Sequence, residues 1–475
     1  VNRRHRVAII GGGITGLTSA FTLKQIAERA NVSLDCTVFE SKGRLGGKIL
    51  THREDGFVLE AGPDSLLARK PHGMQLIRDL GIESEIIYQS SESLHTYISR
   101  NGQLQQMPAG TNMGIPVEWD DLWKSPLLTL AGKLRVRAES YIPRLPHTTS
   151  DESLGLFLRS RLGDELVNHL IEPLLAGIYA GRVNDLSLLA TFPHFLKWEE
   201  QYGSLLKGAA AARKTAQINT SGRSTFVTLK GGLETLIERL YDCLQDWVTV
   251  SMRTSITNIR KQSSGNYLLD VVDASGTHVE RYDTVIVTTS ATAAGQLLSG
   301  ICEVTNELIG IPYVSTATVQ LAYAGNPLDE PWKTSGFLIP AVENRTITAC
   351  TWTSSKWPHT TPHPYVVIRC YVGRDGQTEG LDLRDAELVN RVCDDIQDFT
   401  GIKTRPAFTM INRWNHAMPQ YRVGHLELVQ RVEQSLASDA PGVYIAGGAY
   451  YGVGIPDCIA QAQAAAHRVI EYCLR

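Results

Sequence analysis

Three kinds of hydrophobic pattern run along the chain. Short unbroken apolar runs, "VAII" (7–10), "TVIV" (284–287) and "VYIA" (443–446), read as strands buried on both faces, as in a parallel sheet. Segments of alternating polarity, "TATVQLAY" (316–323) and "YVVIRCYV" (365–372), suit a second sheet. Helical spacing of apolar residues marks "LLTLAGKLRVRAESYI" (127–142) and "SLGLFLRSRLGDELVNHLIEPLLAGIYA" (153–180). Such amphipathic stretches cover either a core or a membrane surface, and a core is the simpler reading.

The first apolar run meets Gly11, Gly12 and Gly13 and passes into a helical pattern in which Leu17, Ala20 and Phe21 share one face. Gly11-x-Gly13-x-x-Gly16, with a strand before it and a helix after it, fits a dinucleotide-binding turn. Gly11 permits the tight turn, Gly13 lets backbone approach a pyrophosphate, and Gly16 lets the helix pack close to the strand. The free N–H groups and the helix dipole then attract the anion. The next strand, "DCTVFE" (35–40), ends on Glu40, an acid that suits a ribose diol and repels a ribose phosphate.

Directly afterwards comes Arg44-Leu45-Gly46-Gly47-Lys48. Adjacent glycines behind a cation suit a loop lying against an extended cofactor, although a glycine-rich hairpin has the same composition. "FVLEAGPDS" (57–65) adds a strand and a turn at Gly62-Pro63. A plain nicotinamide fold has no physical need of this second loop. At the far end, "VYIAGGAYYGVGIPDCIAQAQAAAHRVIEYCL" gives a strand, the pair Gly447-Gly448, a loop, and a helix with Pro456 in its first turn. Contacts from both chain ends imply a nucleotide fold interrupted by insertions. The expected class is α/β, with a discontinuous Rossmann-like FAD-binding domain, an inserted α+β substrate domain and a helical domain.

A chain of 475 residues is too long for one core and suits two or three domains. Its net charge of −3 gives no electrostatic case for nucleic acid. The eight cysteines form no C-x-x-C or zinc-like spacing, so no metal site is expected, and they read as small apolar residues in a reducing compartment. No run of about 18 apolar residues offers a membrane span. "VNRRHRVAII" lacks the features of a signal peptide. A cytoplasmic location is expected, with contact at the inner membrane surface left open.

The glycine loops at both ends, together with "FVTLKGGLETLIERLYDCL" (226–244), "VTVSMRTSITNIRKQ" (248–262) and "YDTVIVTTSA" (282–291), resemble the flavin-containing amine oxidase and protoporphyrinogen oxidase superfamily. "RLGGKI", "GPDSLLARK", "LIEPLLAGIYAGRVNDLSLLATFP" (170–193), "ACTWTSSKWPH" (349–359), "RWNHAMPQYRVGH" (413–425) and "GVGIPDCI" resemble the bacterial porphyrinogen oxidases in particular, the water-soluble type that acts on coproporphyrinogen III. The resemblance spans essentially the whole chain. It implies an FAD domain from 1–70, 227–295 and 434–475, a substrate domain from 71–95, 190–226 and 296–433, and a helical domain from 96–189.

Carried over by motif, FAD would contact Gly11, Gly12, Gly13, Ile14, Thr15 and Gly16, then Glu40, Ser41, Arg44, Gly47 and Lys48. Gly62, Pro63, Asp64 and Ser65 would line the flavin end, Ile256 would offer backbone to adenine, and Trp414, Gly448, Val453, Gly454 and Ile455 would complete the site. Monoamine oxidases tether flavin through a cysteine in the C-terminal loop. Here the loop reads "GGAYYGVG", so FAD is expected to be noncovalent, with Cys458 packing in the helix beyond. Arg69 and Lys70 would be rim cations for propionates, Lys70 foremost, with a solvated loop lysine as the plain alternative. Ile178 and Tyr371 serve as either pocket wall or core. Met418 and Tyr421 would position Trp414, and His416 is assigned no catalysis.

The implied reaction takes six electrons from a porphyrinogen in three steps, each passing hydride from a bridging carbon to flavin N5, and dioxygen leaves as hydrogen peroxide. No acid–base set or metal cluster is needed, and no catalytic side chain is assigned. The implied partners are a porphyrinogen and dioxygen, with room for transient contact with other haem-synthesis enzymes. Oxidation of protoporphyrinogen IX is the alternative. More distant ones are an amine oxidase or desaturase, for which Tyr450 and Tyr451 leave room for an aromatic cage, and a flavin-binding protein without turnover.

Overall fold

The computed structural model describes residues 4–91, 95–144, 151–220, 225–328 and 334–474. Its organising element is a five-stranded parallel sheet in the order Val248–Met252, Leu34–Glu40, His5–Ile10, Thr284–Val287, Val443–Ile445. These strands include the unbroken apolar runs, and Val7, Ile9, Val38 and Ile286 are wholly buried because helices cover both faces. One face carries the helices Ile14–Ala30, Glu234–Leu244 and Ile455–Cys473, so the first and last helices of the chain pack side by side. The other face is covered by Ala291–Leu298, Glu303–Gly310, His425–Asp439 and a meander of three strands between 255 and 282.

A second sheet has seven strands in the order Phe408–Pro419, Tyr313–Ala324, Tyr365–Val372, Ile347–Thr351, Gly336–Leu338, Thr96–Arg100, Gln103–Gln106. One face packs on the helix Asp385–Thr400 through Leu388, Val392 and Ile396. Helices between 119 and 220 form a separate apolar cluster that includes Leu158, Leu170, Phe192, Phe195 and Leu205.

The borders between units differ from the sequence expectation in three places. Residues 96–106, expected in the helical part, pair as strands Thr96–Arg100 and Gln103–Gln106 of the seven-stranded sheet, while Ile98 is buried in the helical cluster. Residues 190–220, expected in the substrate part, bury Phe195, Leu205 and Ala209 in the helical core. The segments around 296–311 and 425–433 bury Leu297, Leu308, Val429 and Val432 against the nucleotide sheet. In the last two cases the apolar face decides the partner, and periodicity alone does not say which core receives it.

Candidate active site

The turn after the first strand is built as its glycines require. Gly11 has φ +115°, and a Cβ on Gly16 would lie 1.9 Å from the Gly11 carbonyl oxygen, so strand end and helix start touch. A Cβ on Gly13 would meet nothing closer than Gly47 Cα at 3.9 Å, which leaves open space over the turn. The second glycine loop closes on the first, with Gly46 N–H donating to Gly12 O at 2.9 Å. The helix Ile14–Ala30 has no side-chain cap and no acid in its first turn, so its leading N–H groups stay available to an anion. Glu40 closes the far side: its carboxylate accepts Gly12 N–H at 2.9 Å and Lys42 N–H at 2.8 Å.

These elements open into one large cavity of about 3130 Å³. Of the expected cofactor residues, Gly11, Gly13, Ile14, Thr15, Glu40, Ser41, Gly47, Lys48, Gly62, Pro63, Ser65, Ile256, Trp414, Gly448, Val453, Gly454 and Ile455 line it. Gly12, Gly16, Arg44 and Asp64 stand behind its wall. The Arg44 guanidinium donates to the carbonyls of Leu45, Gly47 and Ile49 at 3.0, 2.6 and 3.2 Å and so shapes the glycine loop from behind. Asp64 turns away, accepting from Ser65 Oγ at 2.7 Å and Lys356 Nζ at 2.9 Å. Burial alone would raise its carboxyl, but Lys356 and Arg369 outweigh that and hold it well below the usual carboxylate range.

The Ala61–Gly62 turn is clamped from three sides. Trp414 Nε1 donates to Ala61 O at 2.9 Å, Arg369 donates to Gly62 O, and a Cβ on Gly62 would lie 1.9 Å from Lys48 O. Lys48 Nζ donates to Ala417 O, and burial lowers its affinity for a proton. The C-terminal loop is held by Tyr421, whose hydroxyl donates to Gly448 O at 2.8 Å and accepts Gly452 N–H at 2.9 Å. Tyr421 thus fixes this loop rather than Trp414, which is hydrogen-bonded to Ala61. The Cys458 thiol lies in the C-terminal helix at the cavity wall, and burial pushes it up to about 11, so it stays protonated at neutral pH.

Arg69, Lys70, Ile178 and Tyr371 also line the cavity, so Ile178 and Tyr371 are wall rather than core. Ile178 is 43% exposed. Lys70 is already engaged: its Nζ lies 2.6 and 2.5 Å from the two carboxylate oxygens of Asp457. His416 lines the cavity too, with its backbone N–H bonded to Ser315 Oγ. Tyr450 and Tyr451 do not reach it. Tyr450 is buried in the nucleotide core, and Tyr451 donates to Glu433 at 2.6 Å, which removes the aromatic cage considered above.

Three cavity residues escape the sequence reading. Arg369 and Arg374 are 3% and 7% exposed, buried cations whose positions inside an alternating strand and a tight turn carry no sequence mark of a pocket. His194, in the helical unit, is pushed down to about 4 by burial and by nearby Arg69 and Lys197, so it is neutral at physiological pH and a weak base. Among the described residues no group of His, Cys, Asp and Glu could hold a metal ion, and no helix is long and apolar enough to cross a membrane.

A parallel dinucleotide sheet, two interlocked glycine loops and a C-terminal helix opening on the same cavity define a flavin-dependent oxidoreductase. The sequence profile of the flavin containing amine oxidoreductase family matches residues 14–470, and the chain belongs to that family. It is 38% identical over 472 residues to the coproporphyrinogen III oxidase of Bacillus subtilis, covering 99% of this chain and 98% of that one. It is 37% identical over 470 residues to the coproporphyrinogen III oxidase of Staphylococcus aureus, covering 98% of each. A crystal structure from Exiguobacterium sp. 255-15 superposes with a TM-score of 0.87 at 35% identity over 100% of both chains. The cofactor is FAD. The open space over Gly13, the uncapped helix start and the Glu40 carboxylate fit its diphosphate and ribose.

Proposed function

We propose that the chain oxidises a porphyrinogen, coproporphyrinogen III foremost, to the corresponding porphyrin, with dioxygen as the final acceptor and hydrogen peroxide as product. The observation that carries this reading is the single cavity of about 3130 Å³, several times the roughly 300–1,000 Å³ of an ordinary small-ligand pocket. One end has the glycine loops of a dinucleotide site. The other has aliphatic and aromatic walls with cations among them, as a macrocycle bearing acidic side chains requires. The names of the two bacterial relatives agree with it.

Bound FAD supplies the two-electron acceptor. The protein's own residues do the rest. The Gly11–Gly16 turn and Glu40 would hold the diphosphate and ribose, and Ile256 would flank the adenine. Gly62, Pro63 and Ser65, braced by Trp414 and Arg369, would set the plane of the reacting ring. Ile178, Tyr371 and Phe337 would confine the tetrapyrrole so that a bridging carbon faces that ring.

The test offers FAD-loaded protein coproporphyrinogen III and protoporphyrinogen IX and follows porphyrin fluorescence against an enzyme-free control. Faster oxidation of coproporphyrinogen III supports the reading. Preference for protoporphyrinogen IX moves the assignment to that substrate, and no oxidation of either with FAD bound overturns it.

A further inference from the structure

Lys70, the cation that the sequence offers for a substrate carboxylate, is paired with Asp457. Lys42, Arg69 and Arg78 at the cavity wall are exposed, and the remaining cations there are engaged in different ways. Lys356 holds Asp64, Lys48 is bonded to the Ala417 carbonyl, and Arg369 supports the Ala61–Gly62 turn beside Asp64 and Glu60. Arg374 differs from them. It lines the cavity and is 7% exposed, and among the described residues no carboxylate comes within ion-pair distance of it.

Among the described residues its side chain makes one hydrogen bond, from Nη2 to Ile339 O at 2.9 Å, and its Nε is enclosed without a partner. Nη1 has no partner and is not enclosed, so the accessible edge of the guanidinium is the edge at the cavity. The nearest acid that acts on it electrostatically is Glu172, which lies 3.9 Å from Arg159 and beyond ion-pair distance of Arg374.

The turn that carries Arg374 is built to hold it. Gly373 and Gly376 have φ +91° and +74°, and a Cβ on either would collide, with Ser315 O at 2.9 Å and with the Arg182 guanidinium at 1.5 Å. Asp375 N–H donates to Ala180 O at 2.7 Å, and Arg182 Nε donates back to Asp375 O at 3.2 Å. On the other side Gln377 Nε2 donates to Ala341 O at 3.0 Å. The turn therefore sits where the helical wall with Ile178 meets the seven-stranded sheet, and its conformation points one buried cation into that seam. A buried guanidinium edge without a counter-charge is costly unless a ligand supplies one.

We propose that Arg374 is a carboxylate-binding residue of the substrate pocket, taking one propionate of the macrocycle through Nη1 at the junction of the two walls. This inference rests on the porphyrinogen reading and names the group that fixes the ring's orientation. Arg374 binds and orients, and takes no part in electron transfer.

The test compares wild type, R374Q and R374K, all FAD-loaded, with coproporphyrinogen III and with its tetramethyl ester, which lacks the carboxylates. R374Q is expected to raise KM for the acid about tenfold or more, the loss of one charge-assisted bond, with kcat changed by less than about threefold. R374K is expected to recover part of that loss, and the ester is expected to distinguish none of the three. Flavin content and melting temperature report folding. If R374Q does not fold, R374K and the ratio of acid to ester binding in the wild type carry the comparison. An unchanged KM in R374Q, or an equal loss for acid and ester, overturns the assignment. Wild type that holds FAD and oxidises no porphyrinogen defeats the functional reading instead.

Discussion

Replacing Arg161 with methionine strips the cation from between two buried carboxylates. Arg161, Glu139 and Glu199 have side chains 1%, 0% and 1% exposed. Arg161 Nε and Nη2 donate to Glu139 Oε1 at 3.1 and 2.7 Å, and Nη1 lies 3.2 Å from Glu199 Oε1. Further N–H bonds reach Ile142 O and Gly203 O, both at 3.0 Å, Pro143 O at 3.2 Å and Glu139 O at 3.4 Å. Glu139 also accepts from Ser204 Oγ and from Leu205 N–H at 2.5 and 2.9 Å. One cation thus ties together the segments Ala138–Tyr141, Leu154–Leu162, Pro193–Tyr202 and the start of Leu205–Thr220, which build the helical unit behind Ile178 and His194.

Removing one partner of such a cluster costs about 3–5 kcal/mol, because the charges left behind have neither water nor a counter-ion. At about 2 °C per kcal/mol for a chain of this size, R161M should melt roughly 6–10 °C lower at neutral pH. The assay is thermal unfolding of FAD-loaded protein, wild type and variant, at neutral pH. A deficit below about 1 kcal/mol refutes the reasoning.

Gly16→Ala should abolish tight FAD retention, because its Cβ would lie 1.9 Å from Gly11 O and must push the helix start off the strand end; the flavin-to-protein ratio after gel filtration measures it. Glu60 accepts Leu233 N–H at 2.6 Å and the Thr51 hydroxyl at 2.8 Å, yet burial pushes its carboxyl up to about 7 from its ordinary 4.5. A raised folded value means that its contribution is complete below about pH 4.5 and is lost as pH rises through about 7. The stability of E60Q relative to wild type should therefore climb over that window and level off above it, as urea unfolding at stepped pH would show.

The nucleotide half of the molecule was legible because its chemistry is local. The Gly11–Gly16 turn, the acid at Glu40 and the Gly46-Gly47 loop each carry their geometry in a few adjacent residues, and backbone sterics leave few alternatives. The functions of Arg44 and Asp64 were not legible, since both stand one layer behind the cavity, where a motif gives position along the chain but not the direction of a side chain. Lys70 shows the same limit. Its place after "GPDSLLA" marks a cavity cation, whereas its partner Asp457 comes from 387 residues away. Arg374 gave no signal at all, because its exposure depends on Ala180 and Ile339 from two other units. The packing of the border segments is hidden for a related reason: an apolar helix face states that it is buried but does not name the core.

The account rests on FAD and a tetrapyrrole sharing the cavity into which both chain ends open. Anaerobic mixing of the FAD-loaded protein with coproporphyrinogen III measures that directly. The account predicts that the oxidised flavin absorbance bleaches as each FAD takes one two-electron equivalent, and that admitting oxygen restores the colour with release of peroxide as porphyrin fluorescence appears. Flavin that stays oxidised in the presence of excess porphyrinogen contradicts it.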